Sequence, residues 1–96
     1  MGRQFEWDSE KALINEKKHG VSFDDAARVF GDKNRLDYFD ALHSEEEDRY
    51  ITIGMVNAVL FVVYTERGDA TRLISARKAT AREKRRYNDN QKVHQI

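Results

Sequence analysis

Residues 49–76 read RYITIGMVNAVLFVVYTERGDATRLISA, and this segment holds most of the strand-forming residues of the chain. Ile, Val, Thr, Phe and Tyr are abundant in it, and these side chains favour the pleated surface of a β-sheet. The predicted strands are Arg49–Val56, Val59–Arg67 and Thr71–Ala76. Asn57 and the pair Gly68-Asp69 connect them by short turns, which makes neighbouring strands antiparallel. Val59–Val63 is apolar at every position, which predicts a central strand covered on both faces.

Two helices and two further strands are predicted before this segment. In chain order, the predicted elements are strand Phe5–Trp7, helix Ser9–His19, helix Phe23–Phe30, strand Arg35–Leu42 and the acidic loop His43–Asp48. Asp8 and Ser22 are suited to cap the two helices, because their side-chain oxygens accept the free N–H groups of the first turn. Gly20 is suited to end the first helix in the left-handed conformation.

A final helix is predicted after the last strand. Thr80-Ala81-Arg82-Glu83 forms a capping box, from which the helix runs to about Asn88 or Asp89, with residues 90–96 frayed. The element order is therefore β-α-α-β-β-β-β-α. It predicts an α+β fold in which the first two helices cover one face of a mostly antiparallel sheet. The length and the lack of a linker predict a single domain over residues 1–96.

The composition limits the class of protein. The chain has 96 residues and no cysteine, which excludes disulfides and cysteine-based metal sites or nucleophiles. Its longest apolar runs are far shorter than the roughly 20 residues of a membrane span, so no membrane partner is expected. The charged segment Met1–Asp8 lacks the apolar core of a secretory signal. We therefore expect a cytoplasmic protein.

The net charge of zero hides a strong asymmetry. Residues 1–71 carry nine Lys and Arg against fifteen Asp and Glu, whereas residues 72–96 carry eight against two. A basic segment of this kind either binds a polyanion or is a solvated, highly charged helix. The charge pattern alone leaves both interpretations open.

Common motifs for metal, nucleotide and nucleophile sites are absent from the sequence. His19, His43 and His94 are far apart and do not have the spacing of zinc ligands. The sequence has neither a glycine-rich nucleotide-binding loop nor the Gly-x-Ser-x-Gly motif of a nucleophile elbow. We therefore expect no metal and no cofactor.

A dense group of cations lies around the last strand and the final helix. Its members are Arg67, Arg72, Arg77, Lys78, Arg82, Lys84, Arg85 and Arg86. A two-residue turn at Gly68-Asp69 would pair Arg67 with Ala70, Thr65 with Arg72 and Phe61 with Ala76. Strict alternation then places Arg67 and Arg72 on one face, and Arg77 on the other face near the opposite end of its strand, unless a bulge or coil twists the hairpin.

Each candidate side chain also has a structural interpretation. Arg67 and Arg77 could form ion pairs with Glu66, Asp69 or Glu83 instead of binding phosphate. Tyr87 could stack on a base or transfer a proton, or it could pack the final helix onto the sheet. His43 could transfer a proton, and nothing local explains a histidine in this loop.

Four stretches form a set that spans residues 5–87. They are Phe5-Glu6-Trp7-Asp8 with Lys11 and Asn15; Lys18-His19-Gly20-Val21-Ser22-Phe23 with Ala26 and Phe30; His43-Ser44 with Glu47 and Arg49; and Tyr64-Thr65-Glu66-Arg67-Gly68 continued by residues 72–79, Glu83 and Tyr87. This set resembles the toxins of the BrnT type in bacterial type II toxin–antitoxin systems. The BrnT family is similar in fold to RelE-type ribonuclease toxins, in agreement with the predicted element order.

The resemblance implies a metal-independent endoribonuclease that cleaves mRNA, free or on the ribosome, and so inhibits translation and growth. It also implies a BrnA-like antitoxin with a ribbon-helix-helix DNA-binding portion, in a heterotetramer with two copies of each chain. Arg67 and Arg77 are the candidates for stabilising charge on the phosphate, and His43, Glu47 and Tyr87 are the candidates for acid and base. The candidates for holding the RNA backbone are Lys18, Arg72, Lys78, Arg82, Arg85 and Arg86. A non-catalytic module that binds RNA or protein within a complex is the alternative.

Overall fold

The computed structural model describes residues 2–94. Its helices and strands are β1 (Gln4–Glu6), α1 (Ser9–His19), α2 (Phe23–Arg28), β2 (Leu36–Phe39), β3 (Tyr50–Val56), β4 (Ala58–Arg67), β5 (Ala70–Lys78) and α3 (Ala81–His94). Single 3₁₀ turns follow α2 at Val29–Gly31 and β2 at Ala41–His43. The predicted α+β element order is confirmed. Within residues 2–94 no helix is both long and apolar enough to cross a membrane.

The predicted caps are present at the helix ends. The Asp8 carboxylate accepts a hydrogen bond from the Lys11 backbone N–H at 3.0 Å, and the Ser22 hydroxyl accepts one from the Asp25 N–H at 3.1 Å. Gly20 ends α1 with φ of 71°. At the start of α3, Thr80 and Glu83 each donate a backbone N–H to the side chain of the other residue, at 2.8 and 3.2 Å. These contacts satisfy N–H groups that a helix leaves free in its first turn.

The sheet separates two hydrophobic cores. Its strand order is β1-β5-β4-β3-β2, with β1 parallel to β5 and every other neighbour antiparallel. Helices α1 and α2 pack on one face, where Leu60 and Val62 are buried. On the other face Phe61 and Val63 pack with Tyr87 of α3. The central strand β4 is therefore covered on both faces, as its continuous apolar sequence predicts.

A β-bulge at Ile74 changes which residues share a face of the sheet. Near the turn the pairing follows the prediction, since Arg67 pairs with Ala70 and Thr65 with Arg72. The register then shifts, so that Phe61 pairs with Arg77 and not with Ala76. Residues directly opposite each other in a sheet point to the same face. The exception named for a bulge therefore applies: the extra residue in β5 reverses the strict alternation and brings Arg77 to the face of Arg67 and Arg72.

The bounds of every predicted strand, of α2 and of α3 differ from the structure by at least one residue. α2 ends at Arg28, and the 3₁₀ turn carries the chain on through Phe30. β2 is confined to Leu36–Phe39 of the predicted strand Arg35–Leu42, and β5 continues to Lys78, beyond its predicted end at Ala76. α3 continues to His94, beyond the predicted end near Asn88 or Asp89, and residues 95 and 96 lie outside the described residues.

Candidate active site

Two neighbouring clefts lie near the end of β4 that carries Arg67, where the start of α1 and the loop after β2 come together. The first, which we call the sheet cleft, has a volume of about 110 Å³ and is lined by Asp8, Lys11, Glu47, Arg49, Arg67, Arg72, Leu73 and Ile74. The second, the loop pocket, has a volume of about 250 Å³ and is lined by Leu42, His43, Glu45, Glu46, Glu47 and Arg49. Because Glu47 and Arg49 line both, the two clefts meet at these residues.

The β4–β5 hairpin supplies two arginines to the sheet cleft. Arg67 is the last residue of β4, and Arg72 stands opposite Thr65, so both side chains point to one face next to the turn. The Arg67 guanidinium is half exposed and donates to the Glu47 carboxylate at 3.3 Å. Arg72 donates to Glu6 of β1 at 2.8 Å. Parallel pairing of β1 with β5 places Glu6 directly beside Arg72.

Hydrogen bonds from side-chain hydroxyls and the main chain hold the loop that carries His43 and Glu47. Ser44 is central to it, because its hydroxyl donates to the Asp40 carbonyl at 2.6 Å and accepts from the Arg49 N–H at 2.9 Å. The Asp40 N–H donates to the Arg49 carbonyl at 2.8 Å. Thr65 of β4 fixes the far end of the loop through a 2.6 Å hydrogen bond to the Asp48 carbonyl. The loop is thus tied to the strand that ends in Arg67.

His43 is exposed at the loop pocket. Among the contacts of the described residues, only the Nδ1 atom of its ring has a hydrogen-bond partner. Its Nδ1 lies 2.9 Å from the Asp40 carboxylate, whose side chain is 12% exposed, whereas that of His43 is 65% exposed. Sequence reasoning identified His43 but missed Asp40. The available signal was their spacing of three residues across the turn that follows β2.

Cations outnumber carboxylates in the sheet cleft. Four basic side chains and two carboxylates line it. The hydrogen bond from the Lys11 N–H is the main cause that lowers the pKa of Asp8, and the charges of Lys11 and Arg72 lower it further. The sheet cleft therefore has the electrostatic character of an anion-binding site.

Arg77 lies outside both clefts. It shares a face with Arg67, but six residues of β4 separate their pairing positions, a distance of about 20 Å along the strand. Glu83 binds the Arg77 guanidinium with both carboxylate oxygens, at 2.8 and 3.0 Å, and the guanidinium also stacks 4.0 Å above the Phe61 ring. The prediction that Arg67 and Arg77 converge on one phosphate is therefore wrong. The alternative of an ion pair with Glu83 describes Arg77 correctly.

Tyr87 is a residue of α3 that is buried against the sheet, and it does not line either cleft. Its hydroxyl donates to the Asp32 carboxylate at 2.5 Å, and the same carboxylate oxygen accepts the Met55 N–H at 2.9 Å. Burial, followed by this contact with Asp32, raises the pKa of Tyr87 to about 12. A phenol held in this way remains protonated and donates a hydrogen bond. Its place in the structure is the packing of α3 on the sheet.

The residues predicted to hold the RNA backbone are divided between the site and the outer surface. Arg72 lies in the sheet cleft. Lys18 is exposed in the last turn of α1, the helix on the opposite face of the sheet. The other four side chains are at least partly solvent-accessible at the end of β5 or on α3: Lys78, Arg82, Arg85 and Arg86. Arg86 also lies 5.0 Å above the Tyr38 ring.

A sequence model described as "Ribonuclease toxin, BrnT, of type II toxin-antitoxin system" matches residues 7–83. The chain belongs to the BrnT family. Its fold is similar to that of the ribonuclease toxin BrnT of Brucella abortus, for which a crystal structure at 1.1 Å resolution is known. That comparison gives 25% sequence identity and a TM-score of 0.65, and covers 82% of this chain and 99% of that chain. A search of curated proteins found no match.

Membership of the BrnT family confirms the resemblance predicted from the sequence and places this chain in a family of ribonuclease toxins of type II systems. A ribonuclease needs cations for the phosphate and side chains that exchange protons. Lys11 and Arg49 line the sheet cleft in addition to the predicted Arg67 and Arg72, and His43 and Glu47 line the loop pocket. Sequence reasoning placed Lys11 and Arg49 in the family motifs but did not assign them to the site, since only the fold brings α1 and the loop together.

Proposed function

We propose that this BrnT-family chain is an endoribonuclease whose active site is formed by the sheet cleft and the loop pocket together. The observation that carries the proposal is the junction of the clefts at Glu47 and Arg49, which sets Arg67 and Arg72 beside the loop that presents His43. In the reaction, the ribose 2′-oxygen attacks the adjacent phosphorus and the bond to the 5′-oxygen breaks. The products are a 2′,3′-cyclic phosphate and a 5′-hydroxyl.

The two arginines supply the charge that this reaction needs. Arg67 is our candidate for stabilising the additional negative charge on the phosphate in the transition state, since a guanidinium stays protonated and binds two oxygens at once. Arg72 lies on the same face and binds a neighbouring phosphate oxygen. Arg49 and Lys11 complete the cationic lining. One well-placed donor of this kind contributes about 10²–10³ in rate.

His43 and Glu47 are the candidates for proton transfer. One removes the proton from the 2′-hydroxyl, and the other gives a proton to the leaving 5′-oxygen. Glu47 binds Arg67 in the free protein, at 3.3 Å, so that RNA must compete with this carboxylate for the guanidinium. The reaction as proposed requires no metal ion, and cleavage should continue in EDTA.

The basic surface of α3 extends the contact with RNA. Arg82, Arg85 and Arg86 are exposed along the helix and Lys78 stands just before it, so together they can bind phosphates that flank the cleavage site. Lys18 lies in the opposite helical layer and has no part in this contact.

Within the toxin–antitoxin system, we propose that this activity destroys mRNA in the cytoplasm, inhibits translation and growth, and is neutralised by a BrnA-like antitoxin. The ribbon-helix-helix portion of that antitoxin would account for a heterotetramer with two copies of each chain. Co-expression with the antitoxin, followed by measurement of the mass of the purified complex in solution, tests this arrangement.

A cleavage experiment with three RNAs tests the proposed reaction. Purified protein is incubated in EDTA with an oligoribonucleotide, with the same oligonucleotide carrying a single 2′-deoxynucleotide at the cut position, and with a fully 2′-deoxy strand. Cleavage of the first alone, with cyclic phosphate ends, is the expected result. If growth inhibition in cells persists while no RNA is cut, with or without ribosomes, the non-catalytic binding module is the correct description.

A further inference from the structure

We infer that Asp40 is a positioning residue that fixes the tautomer and orientation of the His43 ring, so that Nε2 is the nitrogen presented to the substrate. The inference rests on the proposed function and assigns to Asp40 a role that the sequence motifs do not. It stands on the 2.9 Å contact between His43 Nδ1 and the Asp40 carboxylate.

Asp40 is itself held rigidly at the end of β2. Its N–H donates to the Arg49 carbonyl at 2.8 Å, and its carbonyl accepts the Ser44 hydroxyl at 2.6 Å and the His43 N–H at 3.3 Å. Its side chain is 12% exposed, and the adjacent 3₁₀ turn Ala41–His43 folds the imidazole back over it. The carboxylate therefore has a fixed position, while the outer edge of the imidazole is exposed to solvent.

The chemistry of this pair determines where the ring proton lies. An ionised carboxylate only accepts hydrogen bonds, so the imidazole nitrogen beside Asp40 must carry a proton. In the neutral ring the remaining nitrogen, Nε2, then has a free lone pair and serves as a base. After it has taken a proton, the same Nε2 donates as an acid, and Asp40 stabilises the charged ring.

Other charged groups surround the histidine. Glu45, Glu46, Glu47 and Arg49 line the loop pocket together with His43. Of these charges and Asp40, the described contacts place only Asp40 in hydrogen-bonding geometry with the ring. The turn is also held without this contact, because Ser44 and the main chain already close it. A role for Asp40 confined to stabilising the turn would therefore be largely redundant.

Single-turnover cleavage rates of two single variants, their double variant and one control variant test the assignment. We expect His43→Ala to slow cleavage by about 10²–10⁴-fold, the usual contribution of a general acid or base. In Asp40→Asn the amide both donates and accepts, so the tautomer is no longer fixed, and cleavage should slow by at least about tenfold. Because Asp40 acts through His43, the double variant should be no slower than His43→Ala alone. The control is Asp37→Asn, in β2 three residues before Asp40 and paired with Arg35, which should retain the wild-type rate.

A cleavage rate for Asp40→Asn equal to that of wild type would overturn the inference. The inference would also fail if Asp40→Asn slowed cleavage by the same factor in the His43→Ala background as in wild type. That result would show that Asp40 acts independently of His43.

The ¹⁵N chemical shifts of the ring nitrogens give a readout that does not depend on cleavage activity. In the neutral wild-type ring we expect a protonated Nδ1 and an unprotonated Nε2, and in Asp40→Asn a mixture of the two tautomers. A wild-type ring protonated on Nε2 would contradict the assignment. If the protein cuts no RNA at all, the proposed function fails and the positioning role with it, while the chemical shifts still show which nitrogen carries the proton.

Discussion

Arg67 and Arg77 lie on the same face of the sheet, about 20 Å apart along β4, and each is bound to a different carboxylate. The bulge at Ile74 gives them a common face, but their neighbours give them different roles. Arg67 is half exposed at the sheet cleft, where an incoming phosphate can replace Glu47. Arg77 joins β5 to the start of α3 through Glu83, which is itself part of the capping box. We therefore assign Arg67 to the chemistry and Arg77 to the stability of the fold.

Arg77→Ala should lower stability. The substitution removes two hydrogen bonds to Glu83 and the stacking on Phe61. Since the Arg77 side chain is 35% exposed, solvent weakens the pair, and we expect a loss of about 1 kcal/mol. In a domain of this size, that loss lowers Tm by about 4–8 °C. Thermal unfolding followed by circular dichroism measures it. Arg85→Ala, an exposed position on α3, is the matched control, and an equal Tm for both variants would refute the assignment.

Stability should also fall in acid, and Arg77→Ala should reduce that dependence. Burial alone would raise the pKa of Glu83, but the hydrogen bonds from Arg77 and Thr80 lower it below the ordinary value of 4.5. A carboxyl with a lowered pKa in the folded state stabilises the protein fully above its ordinary pKa. This contribution is lost as the pH falls through the folded-state pKa. Asp32 contributes to the loss of stability in acid in the same way. Burial alone would raise its pKa, but hydrogen bonds from Tyr87 and the main chain lower the pKa below its ordinary value.

Urea unfolding at about pH 7 and about pH 3 measures this effect. The difference in unfolding free energy between wild type and Arg77→Ala should be smaller at the lower pH, because the stabilisation from the Arg77–Glu83 pair is lost as the pH falls through the folded-state pKa of Glu83. A difference that stays constant or grows on acidification would show that the Arg77–Glu83 pair is not the source of the stabilisation.

Most of the fold could be predicted from local chemistry. The strands of the meander follow from β-branched and aromatic residues, and each cap follows from the one side chain that can satisfy the free N–H groups. The bulge could not be predicted from alternation, although one signal was present. Leu73 and Ala76 both contribute to the core under α1 and α2, and a spacing of three residues cannot place both on one face of a regular strand.

The site was less predictable, because it depends on contacts between distant segments. Glu47 and Arg67 are twenty residues apart in sequence and meet only because the loop is tied to β4 by Thr65. The burial of Tyr87 and its contact with Asp32 decided between the two interpretations of this residue. The sequence of the helix alone predicts neither the burial nor the contact. The pair of His43 and Asp40 is different from these distant contacts, because a spacing of three residues already brings the two side chains together.

The basic surface of α3 should control affinity for RNA and its dependence on salt. Replacing Arg82, Arg85 and Arg86 together by alanine removes up to three phosphate contacts. Each such contact contributes about 0.7 to the slope of log K against log salt on a single strand. We expect the slope to fall by about 2, with the cleavage rate of bound RNA unchanged. Fluorescence anisotropy with a 2′-deoxy strand measures the slope. Arg28→Ala, a basic side chain of α2 on the opposite face, is the control; an unchanged slope in the triple variant would exclude α3 from RNA binding.

The most direct test of the proposed active site is the single-turnover cleavage rate of Arg67→Ala and Arg77→Ala, measured side by side on the same RNA below the Tm of both variants. The assignment predicts that Arg67→Ala loses about 10²–10³ in rate and keeps the wild-type Tm. It predicts that Arg77→Ala cleaves at close to the wild-type rate and has a lower Tm. Full activity in Arg67→Ala, together with a folded but inactive Arg77→Ala, would contradict the placement of the active site at the sheet cleft.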